Sequence, residues 1–300
     1  MNKLLQSPIF LLLATGTFFG FNMPLGKIAS DAHISPLLWA LVISAGAVLI
    51  LLPLLVLQNR FEWPKRSMWR YILISSLISF ILPNILLFST MAHVGSGYMG
   101  LMYALSPVFT LSLALLFQIK TPGLMGKVGI MFGLIGAVVV SITRGSAPDA
   151  PALIWILAAL LLPLTLACGN IYRTLDWPKG ANPDILAFWC HVFSILFFIV
   201  LIVTRNGQLA LHSLIQVPQV TVSQLLIAGL TFALLFRLQE KGGPVLLSQI
   251  GYVAAAVSLF IATLFLGELY SLITWTGAAI IAVGIIITIT AQVREAKRFT

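Results

Sequence analysis

Ten apolar runs, each close to twenty residues long, follow one another along this chain, at roughly 8–29, 36–57, 70–92, 96–118, 125–143, 151–172, 184–204, 221–240, 244–266 and 272–292. An α-helix needs about 20 residues to cross the ~30 Å hydrocarbon core of a bilayer. The short alternating segments of a membrane β-barrel are missing from this pattern, and backbone N–H and C=O groups in lipid must be bonded within their own segment. The runs predict an all-α polytopic membrane protein with ten transmembrane helices.

Composition agrees. Of the 300 residues, 60% are hydrophobic and 8% charged, where a soluble domain carries about 25% charged residues. No water-soluble fold hides that much apolar surface, so the lipid bilayer is the expected surrounding. The net charge of +9 does not signal a nucleic-acid partner, because the basic residues sit in short connectors and form no stripe on a globule. Cys168 and Cys190 fall inside apolar runs, without metal-knuckle spacing, and are expected to be small core residues. No metal or cofactor is expected. The first run follows Lys3 as a signal peptide would, but it is of spanning length and shows no evident small-residue cleavage site, which predicts a retained first helix.

Basic residues near the helix ends set the orientation. With the N-terminus cytoplasmic, Lys3, Arg60, Lys65, Arg66, Arg70, Lys120, Lys127, Arg173, Lys179, Arg237, Lys241, Arg294, Lys297 and Arg298 lie inside. Only Lys27, Arg144 and Arg205 lie outside, so fourteen of seventeen share one face. The expectation is a multi-pass protein of the cell inner membrane with both termini cytoplasmic.

One offset of 148 residues aligns the two halves without a gap: Asn22 with Asn170, Phe88 with Phe236, Gly95 with Gly243, Phe117 with Phe265, Gly129 with Gly277 and Gly136 with Gly284. Glycine, asparagine and phenylalanine matches across four helix pairs mark a duplication. Five helices per half is an odd number, so residues 149–300 enter the membrane opposite to 1–148, which predicts inverted five-helix repeats with a substrate site between them.

Three motifs carry a resemblance. They are Gly20-Phe21-Asn22-Met23-Pro24 in helix 1, Ala104-Leu105-Ser106-Pro107-Val108 in helix 4, and Phe265-Leu266-Gly267-Glu268 closing helix 9. With the ten spans and the duplication, the chain resembles the drug/metabolite transporter superfamily, in particular the EamA-type ten-helix permeases. The resemblance implies a transporter, often an exporter of amino acids or related metabolites. Two departures stand out: Lys120 occupies the place paired with Glu268, and Ala255 the place paired with Pro107.

Candidate substrate-binding residues follow from polarity at depth. Asn22 and Asn84 lie deep in apolar runs beside Pro24 and Pro83, where each helix loses a backbone hydrogen bond. Such an amide either meets a polar substrate or bonds a neighbouring helix. Tyr103 and Ser106 in helix 4, and Gln249 and Tyr252 three residues apart in helix 9, are expected to line a cavity between the halves, whereas Tyr98 reads as an interfacial anchor. His191 is the one histidine well inside an apolar run and serves packing, proton relay or a hydrogen bond to substrate. Arg237 and Glu240 are spaced for a local ion pair, or for contact with an anionic group of a substrate. Gly126, Gly129, Gly133 and Gly136 form a small-residue stripe that braces each half or pairs protomers in a homodimer.

No carboxylate sits mid-span, which argues against a buried acidic proton carrier and favours facilitated diffusion or exchange of a small-molecule substrate, neutral or zwitterionic. The sequence lacks His-Glu-x-x-His, Gly-x-Ser-x-Gly, paired aspartates and a phosphate loop, so it is not expected to be an enzyme. A non-transport assembly protein and an intramembrane enzyme are the competing classes.

Overall fold

A computed structural model describes residues 7–119, 122–145 and 152–297; Lys3, Lys120, Asp149 and Arg298 lie outside the described residues. The described chain is helical, with no strand. Its helices are α1 (Pro8–Asp31), α2 (Pro36–Leu57), α3 (Arg66–Val94), α4 (Ser96–Leu116), α5 (Leu124–Gly145), α6 (Leu153–Leu175), α7 (Pro183–Asn206), α8 (Pro218–Ser248), α9 (Ile250–Phe265) and α10 (Leu272–Lys297). Eight described helices are long and apolar enough to cross a membrane, and Leu124–Gly136 and Ile250–Phe265 are shorter apolar helices. The chain is a polytopic α-helical membrane protein.

The helices start where the local chemistry tells them to. Ser7 caps α1 by accepting the Phe10 N–H, and Pro8 supplies the first helical residue, whose missing N–H costs nothing there. Asn182 and Pro183 open α7 in the same way, and Gly207 closes it in the left-handed conformation. Between α3 and α4 the chain reverses through a single residue, Gly95, at φ 86° and ψ 157°. A second glycine, Gly243, holds φ 69° and ψ −176° where α8 kinks sharply ahead of Pro244. Both conformations belong to glycine almost alone, and the two positions are 148 residues apart.

Packing follows a pattern that exchanging the two halves leaves unchanged. Helix α1 packs on α8 and α9, as α6 packs on α3 and α4; α2 packs on α7 and α8, as α7 packs on α2 and α3. The pairs α4 with α9 and α5 with α10 map onto themselves. The end of α9 meets the start of α4 at one face, here called upper; the start of α3, the end of α6 and the start of α7 lie at the opposite, lower face, which the basic residues predict to be cytoplasmic.

The glycine stripe of α5 meets α10 of the same chain. A Cβ on Gly284 would come within 2.6 Å of the Gly129 carbonyl oxygen and 2.8 Å of the Gly133 nitrogen, so the two backbones are in direct contact. Cys190 is buried as expected, but Cys168 is exposed on the outer surface of α6, because α6 turns that side away from its partners. Replacing Gly284 by leucine is expected to force the pair apart at a cost of about 1–3 kcal/mol, read as a lower melting temperature in detergent. An unchanged melting temperature would contradict the contact.

Candidate functional site

Three interruptions of regular helix converge on one place. In α3, residues Leu77–Ile81 widen into a π-helical turn, in which the Leu82 N–H bonds the Leu77 carbonyl five residues back. Two residues later Pro83 lacks the N–H that would have bonded the Ser79 carbonyl. In α4 the helix breaks at Ala104–Leu105, and Pro107 withdraws the N–H that would have served Tyr103. Between α8 and α9 the chain turns at Gln249.

Ser79 and Phe80, Tyr103 and Ser106, and Ser248, Ile250 and Gly251 flank these interruptions, and all of them line a single cavity. Its wall is drawn from α1, α3, α4, α6, α8 and the start of α9, and so from both halves of the chain. Gly251 has no room for a Cβ against the Tyr103 carbonyl, so helix α9 lies directly on the break in α4.

The candidate residues divide around this cavity. Asn84, Tyr103 and Ser106 line it. Asn22 is buried outside the lining and accepts a 2.6 Å hydrogen bond from the Gln224 amide, joining α1 to α8. Tyr252 is turned away and donates to the Ile130 carbonyl of α5 at 3.2 Å. Gln249 is fully buried at the turn before α9, and its amide has no partner among the described residues. The helical spacing that placed Gln249 and Tyr252 on one face does not carry through that turn. His191 packs outside the lining between the Phe80 and Phe232 rings, at centroid distances of 4.6 and 4.1 Å, with neither ring nitrogen bonded.

Two further groups emerge only in three dimensions. Arg173, expected in the connector after helix 6, is instead inside α6, which runs on to Leu175, and is 3% exposed. It lines the cavity beside Asn170, and its guanidinium carbon lies 5.5 Å from the centre of the Phe80 ring and 5.8 Å from that of Phe236. Arg237 does not pair with Glu240, which is exposed; it makes two hydrogen bonds, of 3.0 and 2.8 Å, to the buried Asp184 at the start of α7. That carboxylate is closer in space than the one a helical turn away.

At the upper face Glu268, just past α9, clamps the start of α4. Its carboxylate accepts from the Ser96 N–H at 3.1 Å, the Ser96 hydroxyl at 2.6 Å, the Gly97 N–H at 3.3 Å and the Tyr270 hydroxyl. The first amides of a helix have no intrahelical acceptor and carry its positive dipole end, so a carboxylate suits them. Burial pushes the Glu268 carboxyl up, but hydrogen bonds from Ser96, Tyr270 and Gly97 outweigh it and hold the group below its ordinary value.

Residues 6–142 match the model of the EamA-like transporter family. No curated protein matches the chain. A solved crystal structure that is 15% identical superposes with a TM-score of 0.66, covering 91% of this chain and 97% of its own, and at that identity the likeness concerns the fold alone.

A carboxyl held low stabilises the fold above its ordinary value of 4.5, and that contribution fades as the pH falls through the lowered one. Glu268→Gln is therefore expected to melt at a lower temperature at neutral pH and to lose less on acidification than the parent chain. Parallel acid profiles would contradict the clamp.

Proposed function

Since residues 6–142 are assigned to the EamA-like transporter family, a family of membrane transporters, we propose that this chain carries a small polar metabolite, an amino acid or related compound, out of the cell by alternating access. The carrying observation is the cavity lined from both halves of the chain, with the polar side chains of Asn84, Tyr103 and Ser106 and three helix interruptions on its wall. Unwound backbone at membrane depth is tolerated where it is buried in protein or faces a cavity, and it offers carbonyls and amides to a solute.

In this reading residues 1–148 and 149–300 are inverted repeats that rock about the cavity. The packing that survives exchange of the halves, and the paired glycines Gly95 and Gly243, support it. The Glu268 clamp then closes the upper side. No aspartate or glutamate lines the cavity among the described residues, which supports exchange or facilitated diffusion without proton coupling.

Flux of labelled amino acids and related metabolites into proteoliposomes tests this. Counterflow above that of empty liposomes is expected without a pH gradient, and Asn84→Ala and Ser106→Phe should each reduce it about tenfold or more, the rate expected to follow loss of one or two buried polar contacts, while melting stays close to that of the parent. Absence of flux across the whole panel would refute the transport reading, and uphill accumulation driven by an imposed pH difference would refute uncoupled exchange.

A further inference from the structure

Arg173 is a buried cation with no anion. The described ion pairs are Lys27–Asp31, Arg70–Asp176 and Arg237–Asp184, so Arg173 is in none of them, and Asp176 and Asp184 are held by other cations. Its own hydrogen bonds both leave from Nη2, to the Asn170 Oδ1 at 2.9 Å and the Gln239 Oε1 at 3.3 Å, and both acceptors are neutral. Nε is buried with no partner. The rings of Phe80 and Phe236 favour a cation electrostatically but supply no counter-charge.

A guanidinium cannot shed its proton to escape burial, and an ion taken out of water without a partner carries a penalty of several kcal/mol. Retaining one at a cavity wall makes physical sense when an anion arrives to meet it. The planar fork of Arg fits a carboxylate with two parallel hydrogen bonds. The rest of the wall suits the body of such a molecule: Phe19, Phe232, Leu235 and Leu247 are apolar, and no other charged side chain lines it among the described residues.

We propose that Arg173 is the group that recognises the substrate, and that the substrate class is small organic carboxylates, free or as the carboxylate end of an amino acid. This rests on the transport reading above and narrows it: the substrate must present a carboxylate toward Arg173, and neutral or purely cationic solutes are poor ligands.

Matched pairs differing only at the carboxylate test it: phenylacetate with phenylacetamide, 4-methylpentanoate with its amide, and leucine with leucinamide. Binding to the full chain in detergent is read by titration calorimetry and melting temperature. At least one carboxylate is expected to bind and raise the melting temperature while its amide does not. Arg173→Gln should weaken that carboxylate by about 10–100-fold, the range of a hydrogen-bonded charge, and Arg173→Lys should retain part of the affinity. A merely structural arginine would lower the melting temperature of the empty protein and leave the carboxylate preference intact.

Equal binding of both members of every pair, no response to any carboxylate, or a preference that survives in Arg173→Gln overturns the inference. If Arg173→Gln does not fold, the comparison falls to Arg173→Lys, for which an unweakened carboxylate preference overturns it. Flux of the same solutes separates the two claims: amides carried in place of carboxylates would sink the substrate class and leave transport standing, whereas carboxylates bound but never carried would do the reverse.

Discussion

In lipid a helix can break only where something other than lipid satisfies the backbone, and this constraint organises the whole molecule. The widened turn at Leu77–Ile81, the break at Ala104–Leu105 and the turn at Gln249 all lie against one cavity. Two of them are followed by a proline that leaves a carbonyl without its donor, Ser79 before Pro83 and Tyr103 before Pro107. The outer surface is apolar, with leucines such as Leu49, Leu116 and Leu196 facing outward. The three interruptions at the cavity are also the positions that bring polar groups to its wall.

The same logic explains the tightness of the frame. Direct backbone contact between α5 and α10 through Gly129, Gly133 and Gly284 uses van der Waals packing, since the hydrophobic effect gives helices in lipid little reason to associate. At the two faces charge does the fastening. Asp184 and Arg237 join α7 to α8 below, and Glu268 joins the end of α9 to the start of α4 above. The pair Arg70–Asp176 is solvent-exposed on the arginine side and contributes little.

Much of the fold was legible in the sequence because spanning length and apolar composition are properties of single segments. The lining of the cavity was legible only where a residue's placement depends on its own helix: Asn84 beside Pro83, and Tyr103 and Ser106 near Pro107, line it. Asn22 has the same local signature, but its partner is Gln224, 202 residues away, and no local pattern reveals that bond. Arg173 was hidden for the opposite reason. An arginine ends an apolar run, and nothing nearby in sequence tells that Phe80 and Phe236 shelter it. The turn at Gln249 takes Tyr252 off its face, and neither it nor the kink at Gly243 is written in hydropathy.

The central claim is that the cavity opens in turn to each side of the membrane. Reactivity of a single cysteine on its wall measures this most directly: Ser106→Cys, in a chain whose Cys168 and Cys190 have been replaced, exposed to a membrane-impermeant thiol reagent added to one side or the other of oriented vesicles. Alternating access predicts labelling from both sides, at rates that shift in opposite directions when a transported solute is present. Labelling from one side only, unaffected by solute, or from neither, would contradict it.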